Sequence, residues 1–198
     1  FRHNFLSCFC MFFSDYMIRK NWAVTSVEKF YQERQFALEL FHHRMIDVKD
    51  MIYIKEETFD VITLWHVLEH NNNPDELLKQ FYKILKPDGI LVMALPNINS
   101  TDAGYYRSNW AAFNVPRHLW HFKPSVMAKV AKENGFIMMH RERTFFDPFY
   151  ISILSEKEMG HHFALIRGFF IGFYSWWSSL SSKDKSSSLI YAFRKQTL

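Results

Sequence analysis

The stretch that decides the fold reads FDVITL at residues 59–64, PDELLKQFYKIL at 74–85 and ILVMAL at 90–95. The first and last runs are apolar and contain β-branched residues, which predicts two buried strands. The middle run repeats apolar residues at helical spacing and opens on Pro74, which suits the first turn of a helix. The KPDG sequence that follows turns the chain. Strand, helix and strand in this order predict a βαβ unit, with a ligand cleft at the carboxyl ends of parallel strands.

The same stretch resembles class I S-adenosylmethionine-dependent methyltransferases. The matching pieces are FDVI in the first strand, LEH after it, the pattern P-x-x-x-L-x-x-x-x-x-x-L-K-P-x-G, and LPN after the next strand. A weaker likeness extends from about residue 13 to residue 135, and PRHLWHF at 116–122 is similar to the small-molecule subgroup. The resemblance implies a doubly wound, Rossmann-like α/β fold that transfers a methyl group from S-adenosylmethionine to an O, N or C atom of a small molecule.

The hydrophobic patterns in the rest of the chain predict the other helices and strands of an α/β fold. We expect one domain over residues 1–198, with a mostly parallel sheet and a helical insertion at 144–186 before the last strand. In this family the last strand is expected to lie antiparallel at the edge of the sheet. The predicted helices are 12–20, 29–41 and 124–134, and the further strands are 22–27, a short third strand at 45–48, 136–143 and 187–194.

Composition narrows the function classes. A net charge of +4 without a long Lys/Arg block does not indicate a nucleic-acid partner. Cys8 and Cys10 are the only cysteines and do not make a disulfide framework or a four-ligand zinc site. Reduced, buried cysteines fit a cytoplasmic protein.

The turn after the first strand departs from the family pattern. Counting back from the following helix places the family's three turn glycines at Ser7, Phe9 and Met11, and none of them is glycine. Glycine suits this turn because the backbone passes close to the cofactor. The resemblance implies cofactor contacts at Ser7 and Phe9. The alternative is a degenerate methyltransferase fold that serves as a binding or scaffold module. A nicotinamide-dependent dehydrogenase is a further rival, but the LEH and LKP-x-G pieces do not belong to it.

Other cofactor contacts are implied at the strand ends. Glu28 follows the second strand, where the family places an acid that accepts hydrogen bonds from both ribose hydroxyls. Asp47 occupies the position of an acid against the adenine amino group. Leu64 ends the 59–64 strand and Trp65 and His66 follow it, where the resemblance implies the floor of the cofactor cleft. The alternative for Glu28 is a helix N-terminal acid favoured by the dipole.

Histidines are the candidate catalytic groups, because an imidazole titrates near neutral pH. His118 and His121 lie three residues apart in PRHLWHF, and His66 follows the cleft strand. A structural role is the alternative for each. The sequence shows no third ligand near His118 and His121, so we expect no metal.

The insertion carries an aromatic run at residues 164–177, ALIRGFFIGFYSWW. It is too short and interrupted for a membrane span, so a lid, a homodimer face or a membrane-surface contact is expected. Helical spacing predicts a shared, covered face. Its members are Ile166, Phe169, Phe170, Phe173 and Trp177.

Overall fold

The computed structural model describes residues 3–8 and 11–196. Six strands form one sheet in the order β2-β1-β3-β4-β6-β5. Neighbouring strands from β2 to β4 pair in parallel, and β6 pairs antiparallel with both of its neighbours. The strands are β1 (Asn4–Cys8), β2 (Ala23–Val27), β3 (Phe59–Trp65), β4 (Leu85–Pro96), β5 (Phe136–Arg143) and β6 (Ser188–Lys195).

Seven helices connect the strands in the described part of the chain. They are α1 (Met11–Arg19), α2 (Tyr31–Phe41), α3 (Pro74–Ile84), α4 (Thr101–Tyr106), α5 (Pro124–Glu133), α6 (Asp147–Glu158) and α7 (Ala164–Ser181). Short 3-10 turns occupy Val48–Tyr53, Leu68–His70, Arg107–Asn109, Ala111–Phe113 and Lys183–Lys185. This architecture confirms the predicted doubly wound, mostly parallel α/β fold.

The β3-α3-β4 unit supplies the centre of the core. Asn73 caps α3 by accepting a hydrogen bond from the Glu76 backbone, and Pro74 occupies its first turn. The apolar face of α3 buries Leu77, Leu78, Phe81 and Ile84 against the sheet. The predicted βαβ unit is therefore confirmed with its boundaries almost unchanged.

Two details of the sheet differ from prediction. The expected third strand is a single parallel bridge between Val27 and Ile46. The last strand is not at the edge, because β6 lies between β4 and β5. Its side chains explain the position: Leu189, Tyr191 and Phe193 are all buried in the core. β5 carries mostly exposed or charged residues and is the strand suited to an edge.

The KPDG turn is part of β4 rather than a separate connection. Leu85 pairs with Phe59, and the register then shifts so that Ile90 pairs with Val61. Residues 86–89 accordingly bulge out of the ladder, with Asp88 at a φ of 59°. The Lys86 ammonium fastens this bulge to β3 through Asp60, at 2.9 Å.

The insertion forms the paired helices α6 and α7, and the predicted aromatic face of α7 is largely exposed in the single chain. The side of α7 that packs inward consists of small residues, namely Gly168, Gly172, Ser175 and Ser179. The predicted aromatic face is exposed among the described residues, with Phe170 65% accessible. Of the expected covers, a lid packed on the sheet is therefore not observed in the described part of the chain, whereas the homodimer face and the membrane-surface contact remain predictions. Among the described residues, no helix combines the length and the apolar character needed to cross a membrane.

Candidate functional site

Four parallel strands bring their carboxyl ends to one edge of the sheet. Glu28 follows β2, Trp65 ends β3 and His66 comes directly after it, and Asn97 follows β4. The structure thus brings together the predicted residues Glu28, Trp65 and His66 along one edge. Asn97 is fixed there because its side-chain amide donates to the carbonyls of Asp184 and Ser186, at 2.7 and 2.9 Å.

The turn after β1 begins later than predicted. Ser7 pairs with Ser26 and Thr63 inside the sheet, and its fully buried hydroxyl has no hydrogen-bond partner among the described residues. The prediction that Ser7 lies in the turn is therefore wrong, because β1 continues to Cys8. Phe9 lies outside the described residues, so its cofactor contact remains a prediction.

Aromatic rings meet next to this turn. Phe13 on α1 lies 5.1 Å from Trp65, centroid to centroid, in an edge-on contact. Phe13 also contacts Phe5, at 5.7 Å. Trp65 has a buried indole N–H without a partner among the described residues. The floor of the cleft at β1 and β3 is consequently aromatic, a feature that the sequence pattern did not indicate at Phe13.

Glu28 is a buried acid held by a backbone hydrogen bond, and its ribose contact remains a prediction. Its side chain is 7% exposed, and one carboxylate oxygen accepts from the Phe30 backbone N–H at 3.0 Å. Burial raises the pKa of Glu28 above its ordinary value, although the backbone N–H groups of Phe30 and Lys29 oppose the shift. Its neighbour Cys8 is a buried free thiol whose pKa burial and the Glu28 charge raise to about 12.

Asp47 is already engaged by the protein. One carboxylate oxygen caps the Val48–Tyr53 turn by accepting from the Lys49 N–H at 3.0 Å. The other oxygen pairs with the Arg34 guanidinium at 3.0 Å. The Lys49 hydrogen bond first, and the Arg34 charge with it, lower the pKa of Asp47. Leu64 is fully buried in the core. Cofactor contacts at Asp47 and Leu64 remain predictions.

His66 follows β3 directly and has a backbone conformation unusual for a non-glycine residue, with a φ of 54°. Its Nδ1 lies 3.3 Å from Glu69 Oε1, and its Nε2 lies 3.9 Å from Asp147 Oδ2. Desolvation alone would lower the pKa of His66. The hydrogen bond to Glu69, with the charges of Glu69 and Asp147, raises it overall.

The LEH turn and the PRHLWHF segment dock on each other. The Glu69 carbonyl accepts from the backbone N–H groups of Leu119 and Trp120, at 2.8 and 3.3 Å. The Trp120 indole donates to the Asn71 carbonyl at 2.8 Å. His70 Nδ1 lies 3.0 Å from the Arg117 carbonyl. Two motifs nearly fifty residues apart in sequence therefore form one surface.

His118 belongs to this surface, and His121 lies beside it. The His118 ring packs edge-on against His70 at 4.6 Å, and its Nδ1 lies 2.8 Å from the Ala112 carbonyl. Desolvation lowers the pKa of His118, and the Ala112 hydrogen bond opposes the shift. His121 is exposed and 6.4 Å from His118, with its Nε2 3.1 Å from the Phe113 carbonyl.

Glu69 and His70 are the site residues that sequence reasoning missed. Glu69 is fully buried, and Glu69, His70 and His118 each offer one ligand atom within 4.8 Å of the other two. The resemblance had pointed to LEH as a family piece, but no spacing in the sequence indicated that it would meet His118. With Glu28, Trp65 and His66, the edge combines a buried acid, an aromatic floor and a histidine cluster.

Residues 12–140 match a family model described as a methyltransferase domain. A search of curated proteins gives no match.

Solved structures show the same fold at low identity. A SAM-dependent methyltransferase from Archaeoglobus fulgidus aligns at 15% identity over 98% of this chain and 86% of its own, with a TM-score of 0.63. A phosphoethanolamine N-methyltransferase of Haemonchus contortus, in complex with S-adenosyl-L-methionine, aligns at 15% identity over 99% of this chain and 49% of its own, with a TM-score of 0.64. The cyclase SpnF aligns at 15% identity over 100% and 76%, with a TM-score of 0.66.

Proposed function

Because the chain belongs to the methyltransferase-domain family, we propose that it transfers a methyl group from S-adenosylmethionine to an O, N or C atom of a small molecule. One observation carries the proposal: a buried carboxylate, Glu28, stands at the end of β2 on the same edge as Trp65 and His66. A fixed carboxylate is an acceptor-only group that suits a pair of ribose hydroxyls. The cytoplasmic location expected from the cysteines belongs to this proposal.

The protein residues divide into two groups around the cleft. S-adenosylmethionine would supply an activated methyl group for in-line displacement. Glu28 would hold the ribose, and Trp65 would lie against the adenine ring or the sulfonium of the cofactor. The enzyme then contributes mainly alignment of the acceptor. A base is needed only where the acceptor loses a proton, and His66, His118 and His121 are the candidates on the acceptor side.

The environment of Asp47 disfavours a contact between its carboxylate and the adenine of the cofactor. Both of its carboxylate oxygens are engaged, by Lys49 and Arg34. An adenine contact at Asp47 would need that ion pair to open. We therefore assign the principal cofactor contact to Glu28.

Glu28→Gln tests this assignment, because the amide keeps the oxygen that accepts from Phe30 but loses the charge. We expect calorimetry to show S-adenosylhomocysteine binding at least about tenfold weaker in the variant. Glu33→Gln is the matched control, since Glu33 is exposed in the first turn of α2. Equal affinity in Glu28→Gln and wild type would contradict the ribose role.

The alternative is a scaffold module that retains the fold without the cofactor. The observation in its favour is the absence of glycine at residues 7, 9 and 11, together with the Phe13 ring against the cleft residue Trp65. A shared fold does not fix a function. A folded wild-type chain that binds neither S-adenosylmethionine nor S-adenosylhomocysteine would establish this alternative over methyl transfer.

A further inference from the structure

A carboxylate and two imidazoles converge where the LEH turn meets the PRHLWHF segment. Glu69, His70 and His118 each place one ligand atom within 4.8 Å of the other two. We propose that these three side chains bind a divalent transition-metal ion of the zinc and cobalt class. The proposal does not depend on methyl transfer.

The hydrogen bonds of both histidines leave the nitrogen that a metal needs. A carbonyl oxygen can only accept, so Nδ1 of His70 must donate to Arg117 and Nδ1 of His118 must donate to Ala112. In the neutral imidazole the lone pair then resides on Nε2 of each ring. Metal-binding histidines are commonly oriented in this way by a carbonyl on the opposite nitrogen.

Glu69 provides the independent observation that points to a ligand. Glu69 is 0% exposed, and its Oε2 atom has no hydrogen-bond partner among the described residues. Its Oε1 atom lies 3.3 Å from Nδ1 of His66. An unpartnered buried carboxylate oxygen is costly, and coordination of a cation would satisfy it.

The backbone around the cluster is fixed from both sides. The Glu69 carbonyl accepts from Leu119 and Trp120, which ties the turn bearing Glu69 and His70 to the segment bearing His118. Donors on one tetrahedral zinc ion lie about 3.3 Å apart. The three ligand atoms of the cluster lie within 4.8 Å of one another, so binding an ion would draw them together by up to about 1.5 Å.

The donor set decides the kind of ion. Two imidazoles and one carboxylate favour zinc, cobalt or ferrous iron over magnesium or calcium, which prefer oxygen ligands. Three protein ligands leave a coordination position open for water or an acceptor atom. His118 is then a metal ligand and not a general base, which leaves His66 and His121 as the candidate bases of the proposed function.

Cobalt titration of the tag-free, chelator-treated full chain tests the proposal directly. We expect one Co²⁺ per chain, with visible absorption bands in the range of a four- or five-coordinate site, and displacement of Co²⁺ by Zn²⁺. His70→Ala, His118→Ala and Glu69→Gln should each weaken binding by more than about tenfold. His121→Ala is the matched control, because its ring lies in the same segment but outside the three-ligand cluster.

Two outcomes would overturn the metal site. One is a folded wild type that binds neither ion at concentrations up to about 100 μM, a level far weaker than structural or catalytic metal sites. The other is unchanged binding in folded His70→Ala and His118→Ala. Because His70 is exposed, its substitution should leave the fold intact, which circular dichroism will verify. S-adenosylhomocysteine binding by the same metal-free protein reports on the proposed function separately.

Discussion

Glu156 carries a buried charge outside the cleft, and neighbouring side chains stabilise it. The residue is fully buried on α6, where its Oε2 atom accepts from His161 Nδ1 and Arg167 Nε, both at 2.7 Å. The Tyr106 hydroxyl lies 3.2 Å from Oε1. Desolvation alone would raise the pKa of Glu156, but the hydrogen bonds from Arg167 and His161 lower it overall. Burial and the Glu156 charge raise the pKa of Tyr106.

Glu156→Gln should lower the free energy of unfolding by about 2 kcal/mol near pH 7, because it removes charge-assisted hydrogen bonds. The folded pKa of Glu156 lies below the unfolded value. Its stabilisation is therefore present above the unfolded pKa and is lost as the pH falls through the folded pKa. Denaturant titrations at several pH values should show the difference from wild type shrinking in acid. Glu158→Gln, exposed on the same helix, is the control. A pH-independent difference would contradict the linkage.

Sequence reasoning at the residue scale succeeded where position along one element decides the location of a residue. Glu28 follows a strand directly, so its place at the sheet edge could be predicted. The Glu69, His70 and His118 cluster could not be predicted, because it depends on two segments that are distant in sequence and meet through tertiary contacts, among them the hydrogen bonds to the Glu69 carbonyl. Ser7 was misplaced because β-structure continues two residues further than the turn pattern indicated.

At the scale of elements, α6 and α7 pack through the small residues of α7. A Cβ added at Gly168 would lie 2.4 Å from the Ile153 Cα, and one at Gly172 would lie 2.7 Å from the Phe149 Cα. The backbones of the two helices therefore approach too closely for any larger side chain. Helical periodicity identified α7 correctly, but its most hydrophobic side is not the packed side. Hydrophobicity alone could not predict this, since close backbone contact selects for size.

Gly168→Ala should destabilise the protein by about 1–3 kcal/mol, because its methyl group meets backbone atoms of α6 that cannot move alone. Gly104→Ala is the matched control. Gly104 is also helical, and an added Cβ there meets nothing within 4 Å. The control should be neutral or slightly more stable, by up to about 1 kcal/mol, because alanine favours a helix. Thermal unfolding of both variants measures the difference. Equal melting temperatures would argue against the close crossing.

The hydrophobic pattern of the sequence predicted some neighbours in the sheet but not the complete order of strands. The runs at β3 and β4 predicted their pairing, since a short helical connection makes neighbours of parallel strands. The position of β6 between β4 and β5 follows from tertiary packing of its alternating apolar side chains. Similarly, the segment around Ile46 contributes one bridge instead of a strand.

At the scale of the whole molecule, α7 presents an apolar stripe to solvent. The stripe consists of Ile166, Phe170, Phe173, Trp177 and Leu180, which are 43–65% exposed. Successive members lie four, three, four and three residues apart, which is the seam spacing of a helix that packs against another helix. Leu165, Phe169 and Tyr174 flank the stripe and are also exposed. An exposed apolar surface of this extent is typical of a site that binds another protein or a membrane.

A second copy of the chain fits this stripe better than a lipid surface. Eight half-exposed large side chains offer about 800 Å², which is the area that each partner of a stable dimer buries. Helices that lie in a membrane interface carry Lys and Arg on their polar face. The polar face of α7 consists of Gly and Ser packed on α6, and its single charge, Arg167, pairs with Glu156 at 2.7 Å. We therefore expect two α6-α7 pairs to associate about a two-fold axis as a four-helix arrangement.

Sedimentation equilibrium of the full chain should show a dimer in the micromolar range, and Phe170→Asp with Phe173→Asp should shift it to monomer. Each introduced carboxylate would be desolvated in the seam without a partner, which association cannot tolerate. Both positions are exposed in the isolated chain, so the variant should keep the secondary structure of the wild type. Ile52→Asp is the control, since Ile52 is 75% exposed on the Val48–Tyr53 turn and should leave the dimer intact. A wild type that stays monomeric at about 100 μM, or that associates with lipid vesicles through these same two phenylalanines, would contradict the assignment of a second copy.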